Sequence, residues 1–590
     1  MSASAISSPS ETVRADGSRS RALSTWLFGL ALAFAFLVHL PSLFAPYTID
    51  DFAQRDMAQG IYPPGDRGLF ALYDFVDDTN RQELVDRGVL PWWTHPHLVV
   101  RFFRPLSSLL LDVEYRIAPS AVLWGHIENM LWWAGASALV YLLLARLFNR
   151  GVARIACVIF AASPCHVIPL VWVANREVFI SQVLGLAGLI VYVRWRREGS
   201  ARHGATSFAL FALAMAAGEY SLCFAGYVAA FELVGTRDSF VRRVLGAAPF
   251  ALPAAAYLAL RAALHYGVRS GGLYFDPFWD FPGFIEGAFR RFAILLCTGW
   301  LGSDDIRLVA EPWSVIAITM AVAIPLLAAA IVRTFRVMPA SFRLDAAWLL
   351  LGSVLAIVPV LAVIASARLL GVPMIGIGAV VSLVLTEAWF PAHPPERRGL
   401  GELTSLVALG LAFIHFVAAP YHGLVNTRLA SAVGALMNSR IDWARERAAG
   451  KSEVIVLRAE TIGTVLFTPS TMGDLELPWH VLSYEADHVL VLRTGEQSLE
   501  LVASPKPLFK MDPSEVFRPN DGTLHAGDVV QIRGIKVTVL QLQKDGMPRR
   551  ARFDFDRNLD DPSILWINET LAGFEERPPP QKGQGEPITP

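Results

Sequence analysis

Asp50 and Asp51 stand side by side in Pro46-Tyr47-Thr48-Ile49-Asp50-Asp51-Phe52, directly after the apolar run 26–44. Carboxylates at the mouth of a membrane helix are costly to dehydrate, so packing is a poor reason for them to be there. Adjacent carboxylates also repel, which raises the pKa of one and suits it to accept a proton at neutral pH. A solvated pair that caps the end of the first helix is the plainer alternative. The pair opens a long loop that closes at Arg101-Phe102-Phe103-Arg104-Pro105-Leu106. Arg101 and Arg104 are either site residues or anchors that snorkel to lipid headgroups. His126 and Asn129 lie three apart, hence on one helix face, and could equally be an interhelical hydrogen-bonded pair. Arg176 follows in Val171-Trp172-Val173-Ala174-Asn175-Arg176-Glu177, and Glu219 sits in Gly218-Glu219-Tyr220-Ser221. Arg269, beside the glycine-rich turn Ser270-Gly271-Gly272, joins the candidate substrate contacts. His95-Pro96-His97 has no third ligand near it in sequence and reads as structural.

The elements that must hold these residues are membrane helices. Of 590 residues, 54% are hydrophobic and only 17% are charged, and apolar runs near the length needed to cross a bilayer recur. The net charge of −1 names no partner and gives no sign of nucleic-acid binding. Cys157, Cys165, Cys223 and Cys297 lie in apolar segments without metal spacing. About eleven spans are expected, over 25–44, 121–146, 152–171, 178–195, 206–219, 221–235, 245–265, 312–333, 346–366, 370–388 and 401–419. Arginine-rich loops at 146–154, 194–202, 237–243, 333–343 and 397–398 place their side in the cytoplasm. The run 205–235 has basic flanks at both ends, so it is a hairpin turning at Glu219, either two short spans or a re-entrant pair. By this parity the N-terminus is cytoplasmic, while the loop 45–120 and everything after His422 are extracytoplasmic.

Residues 1–20 read as a disordered cytoplasmic tail, followed by a membrane domain over 21–420. Within the first outer loop, Leu69, Leu72, Phe75 and Val76 recur at helical spacing and predict an amphipathic surface helix. Trp92, Trp93, Trp132 and Trp133 read as belt residues. Every lysine lies at position 451 or later, which marks a compositional break. A linker helix is expected over 421–450, a small β-rich domain over 451–576, and a disordered tail over 577–590. The sequon Asn568-Glu569-Thr570 reads as a chance match.

The order of these motifs, all on one side of the membrane, resembles the GT-C superfamily of integral-membrane glycosyltransferases, especially its protein O-mannosyltransferase-like branch. The residues that carry the resemblance are Asp50-Asp51 after the first helix, Phe103-Arg104-Pro105-Leu106, and His126-x-x-Asn129. Ser163-Pro164-x-His166 followed by Trp172-x-x-x-Arg176 also fits. The resemblance covers roughly residues 25–270. It implies an inner-membrane enzyme that takes a sugar from a polyprenyl-phosphate donor and transfers it, on the outer face, to a glycan, lipid or protein acceptor. It further implies that arginines grip the phosphate. One of Asp50 and Asp51 would act as general base, and the other would orient the acceptor or help hold a divalent metal ion. Where relatives carry Lys-Glu this chain has Gly218-Glu219, so a basic contact to the lipid phosphate has to come from elsewhere. The rival readings are a transporter or flippase for a lipid-linked or small solute, and a non-catalytic membrane protein that displays its C-terminal domain.

Overall fold

The computed structural model describes residues 25–119, 121–390, 398–509, 516–519 and 524–590. The expected disordered segment 1–20 and Arg397 of the last arginine loop lie outside them.

The chain enters through helix α1 (Thr25–Phe44). The first loop carries α2 (Ile49–Ala58), β1 (Asp74–Val76), α3 (Arg81–Asp86) and β2 (Val99–Arg101). Then follow α4 (Pro105–Ile117), α5 (Val122–Leu147), α6 (Arg150–Ala161), α7 (Val167–Val171), α8 (Glu177–Glu198), α9 (Ala201–Ala217), α10 (Cys223–Ala230) and α11 (Phe240–Ala263). Beyond β3 (Gly267–Arg269) come α12 (Phe281–Leu301), α13 (Asp305–Ala310), α14 (Trp313–Val337), α15 (Ala340–Leu355), α16 (Pro373–Trp389), α17 (Arg398–Phe413) and α18 (Ala419–Ala448).

Among the described residues, seven helices are long and apolar enough to cross a membrane, or eight if one bent pair counts as a span. That is fewer than the expected eleven. Hydropathy counts apolar residues, whereas helix length depends on where the backbone breaks. The run 152–171 bends by 48° at Pro164, which begins a new turn capped by the Ser163 hydroxyl. The runs 206–219 and 221–235 give the 17-residue α9 and the 8-residue α10, hinged at Glu219. The last span does not end at 419 but continues into the expected linker as one helix, Gly401–Ala448. Gly423 lies against Val38 and His39, and Gly434 against Pro46 and Thr48. Thus α18 runs parallel to α1, and both leave the bundle at the end that carries the first loop.

Two further expectations for that loop are corrected. Residues 69–76 form turns and the strand β1, not an amphipathic helix, because β1 pairs with β2, and β2 in turn pairs with β3. Trp92 and Trp93 are buried rather than belted at the membrane: Trp93 stacks on Phe509 with ring centroids 4.7 Å apart.

Beyond α18 the chain forms β4 (Glu453–Val456), the short helices α19 (Ile462–Val465) and α20 (Thr468–Met472), β5 (Trp479–Val481), β6 (His488–Arg493), β7 (Ser498–Ser504), β8 (Val529–Ile532), β9 (Ile535–Leu542), β10 (Pro548–Phe555), β11 (Ile564–Thr570), β12 (Gly573–Glu576) and β13 (Gly585–Ile588). One sheet has the order β13-β6-β7-β10-β9-β8 and the other β12-β11-β4-β5. The segment 577–590 is therefore not a disordered tail: β13 pairs antiparallel with β6. Asn568 of the sequon is buried in β11.

This β-rich part shares one hydrophobic core with the first loop. Trp479 N–H donates to Arg87 O at 3.1 Å, and His95 N–H to Phe517 O at 2.8 Å. A Cβ on Gly88 would sit 1.7 Å from the Trp479 carbonyl oxygen, and its φ is +71°, so only glycine allows this approach.

Candidate active site

A cavity of about 480 Å³ opens where the first loop meets the helices. Its roof is the β1-β2-β3 sheet, through Phe75, Phe102 and Val268. Its charged lining comes from α2 (Asp50), the entry to α4 (Arg104), the start of α8 (Glu177), the α9–α10 turn (Glu219), and the segments holding Asp276 and Arg368.

Most of these charges are already paired. Arg104 Nη1 lies 3.1 Å from Glu177 Oε1, and the same guanidinium closes in a two-point contact on Glu219. Its planar face lies over the rings of Phe102 and Tyr73, 4.5 and 4.9 Å from their centroids. Arg261 pairs with Asp276. Two groups remain. The Asp50 carboxylate accepts no hydrogen bond from the described residues. Arg368 makes no hydrogen bond or ion pair with any of them, and its guanidinium stands 5.8 Å from the Trp172 ring.

Asp50 lies in α2, outside the spanning helices. Burial pushes its carboxyl up to about 7, opposed by the charge of Arg368, assisted by Glu177 and opposed again by Arg104. Asp51 is also raised to about 7, first by burial, against hydrogen bonds from Thr48 and Ala174. Its position differs entirely. Asp51 Oδ1 accepts from Ala174 N–H at 2.7 Å, and Oδ2 accepts from Thr48 N–H at 2.9 Å and from the Thr48 hydroxyl at 3.2 Å. This side chain caps α2 and ties it to the turn before α8. Successive helical residues point about 100° apart, so one carboxylate faces the cavity and the other the protein.

Of the residues picked out by sequence, Asp50, Arg104 and Glu219 line the cavity, while Asp51, Arg101, His126, Asn129, Arg176 and Arg269 do not. Arg176 is fully buried among Glu114, Glu128 at 2.9 Å, Gly125 O at 2.8 Å and Asn129 Oδ1 at 2.6 Å, where it fastens α4 and α5 to the turn before α8. The His126 ring nitrogens face Leu170 O at 3.0 Å and Ala45 O at 2.9 Å. The Asn129 amide also reaches Pro169 O at 3.0 Å. Arg101 grips Asp74, with Nη2 2.7 Å from Oδ2, and so braces the roof. Arg269 stacks over Trp279 at 3.8 Å.

Sequence reasoning missed Glu177, Arg261, Asp276 and Arg368. Arg368 carried a signal, because it is a lone charge between the apolar runs 346–366 and 370–388.

At the position expected for a metal ion, Asp50 accepts no hydrogen bond from the described residues, whereas Asp51 is held in place by the protein. Both Asp51 oxygens are engaged by backbone and hydroxyl donors, and among the described residues no group of three His, Cys, Asp or Glu side chains is arranged to hold an ion.

No protein-family model matches the sequence, and no curated protein matches it. Solved structures similar to it include the apo oligosaccharyltransferase of Archaeoglobus fulgidus, with a TM-score of 0.43, 13% identity, and coverage of 78% of this chain and 64% of that one. Apo ArnT from Cupriavidus metallidurans gives 0.40, 14%, 78% and 86%. The arabinofuranosyltransferase AftD from Mycobacteria gives 0.33, 15%, 77% and 33%. The chain spans less than two thirds of the length of the archaeal oligosaccharyltransferase. Other structures of the first two proteins hold dolichol-phosphate and undecaprenyl phosphate, respectively.

Proposed function

We propose that this protein is a membrane glycosyltransferase that moves a sugar from a polyprenyl-phosphate donor to an acceptor hydroxyl. The reading is carried by one cavity that holds a cation, Arg368, and a carboxylate, Asp50, neither of them hydrogen-bonded to any described residue, with burial pushing Asp50 up to about 7. An unpaired arginine suits a phosphate because its planar fork meets two oxygens at once. Phe278 and Phe284 continue the cavity wall towards the exposed apolar side chains Phe281, Ile285 and Phe289 of α12, which supports entry of a lipid tail from the bilayer.

The step balances without a further reactant. Asp50 takes the proton of the acceptor hydroxyl as its oxygen bonds to the sugar C1. The bond from C1 to the phosphate oxygen breaks, and the polyprenyl phosphate leaves as an anion against Arg368. No step is assigned to a metal ion. Arg104 holds Glu177 and Glu219 as the rigid floor on which this occurs. The arginine loops lie at the far ends of α5 and α8 from the cavity, which supports an extracytoplasmic site, a cytoplasmic N-terminus and a multi-pass inner-membrane location.

The test is transfer by the purified protein in nanodiscs, from a radiolabelled polyprenyl-phosphate hexose, comparing wild type with Asp50→Asn. Loss of turnover with retained donor binding is expected. Undiminished turnover in the variant removes the assignment.

A further inference from the structure

A second cavity, of about 320 Å³, opens between the C-terminal ends of α5 and α8. It lies about 25 Å along α8 from Glu177, close to the thickness of the bilayer hydrocarbon, and so at the membrane boundary opposite the Asp50 cavity. Its floor is apolar and buried, from Leu143 and Leu147 of α5 to Val193 of α8. Arg146, Arg194, Arg197 and Glu198 line its exposed mouth. The arginines are unequally committed. Arg197 Nη2 lies 2.5 Å from Asp345 Oδ1. Arg194 meets Glu198 through Nε, 2.9 Å from Oε2, and its two terminal nitrogens bond to none of the described residues. Arg146 makes no hydrogen bond or ion pair with any of them. Glu198 and Asp345 offset two of the three guanidinium charges. One positive charge is left over an apolar floor.

We infer that this cavity binds the headgroup of an anionic phospholipid, with the phosphate accepting from Arg146 and Arg194 and the start of the acyl chains resting on the floor between Leu143 and Val193. Guanidinium groups suit a phosphate, and a basic pocket between membrane helices at the bilayer boundary suits an acidic headgroup. A soluble phosphate has nothing to lay on the apolar floor. A zwitterionic lipid brings an ammonium that meets the surplus arginine as a like charge. The site is independent of the glycosyl-transfer reading and needs only that the helices span a membrane.

The test is native mass spectrometry of the full-length protein in detergent micelles, titrated with phosphatidylglycerol, phosphatidylethanolamine of the same acyl chains, or glycerol phosphate. Wild type is compared with Arg146→Gln and with Arg336→Gln, which removes an exposed arginine in the last turn of α14, outside this cavity. Wild type should bind phosphatidylglycerol at least about 5-fold more tightly than phosphatidylethanolamine, the scale of one arginine against an acidic headgroup. Arg146→Gln should weaken phosphatidylglycerol by about 5-fold and Arg336→Gln by less than about 2-fold. Because Arg146 has no partner to lose among the described residues, its replacement should leave the protein folded. Equal binding of the two lipids to wild type overturns the site. So does a loss in Arg146→Gln no greater than in Arg336→Gln, which would mean attraction to surface charge alone. Glycerol phosphate binding as tightly as phosphatidylglycerol also overturns it, in favour of a soluble phosphate ligand.

Discussion

Arg104 and Glu177 meet at 3.1 Å across the junction of the α4 entry with the start of α8, and the same arginine holds Glu219 at the α9–α10 turn. One cation thus joins three segments distant in sequence, one supplying the arginine and two supplying a carboxylate each. This leaves Arg104 committed to the scaffold and Arg368 as the cation available to a ligand.

Arg104→Gln is expected to leave the buried Glu177 carboxylate, and the part-exposed Glu219, without their cation, at about 3–5 kcal/mol. A fall in apparent melting temperature with loss of monodisperse protein would register this. Arg368→Gln breaks no hydrogen bond or ion pair with the described residues and removes only the charge over the Trp172 ring. It should leave the melting temperature within about 2 °C of wild type, while weakening sugar-free polyprenyl phosphate by about 10-fold or more, the scale of a charged hydrogen bond.

The two aspartates should separate cleanly by assay. Asp50→Asn should lower turnover by about 10²- to 10⁴-fold, the range for loss of a general base, with little change in stability. Asp51→Ala removes the acceptor for Thr48 and Ala174 N–H and should cost about 1–3 kcal/mol of stability. Thermal unfolding and initial rates measured on both variants decide this. A catalytic defect confined to Asp51→Ala would reverse the assignment.

Turnover should rise with pH and level off above about 7, because the base must be ionised and burial lifts Asp50 to about 7. A rate–pH profile under saturating donor measures it. Stability runs the other way. Between the ordinary carboxyl value and about 7, the native Asp50 and Asp51 hold protons that the unfolded chain has released. Both therefore withdraw stability as pH rises through that window.

Residues 421–590 expressed alone should not reach a cooperative fold, because Trp92 and Trp93 of the first loop fill their core. Circular dichroism melts of that fragment, with and without the loop 45–120 supplied in trans, would show it. Trp93→Ala in the full chain should cost about 3–5 kcal/mol, as for a large buried aromatic. Limited proteolysis should then cut both the loop and the C-terminal sheets.

The sequence by itself determined the membrane class, the break into a β-rich C-terminal part, the hairpin at Glu219 and the acid at position 50. Each of these depends on local composition or on charge beside an apolar run, and a single stretch of chain carries that information. It also marked the turn that ends in Glu177, but pointed to Arg176. Which of two adjacent side chains faces a cavity depends on helix phase and on what packs behind it, and only the tertiary structure decided that Asp50 and Glu177 face inward while Asp51 and Arg176 face the protein. The same holds for Arg368, more than 300 residues from Asp50 by position, which reaches the cavity only because the helices between them fold back on one another. The burial of Trp92 and Trp93 likewise required a partner sheet over 400 residues away, since an exposed aromatic pair and a buried one have the same local sequence.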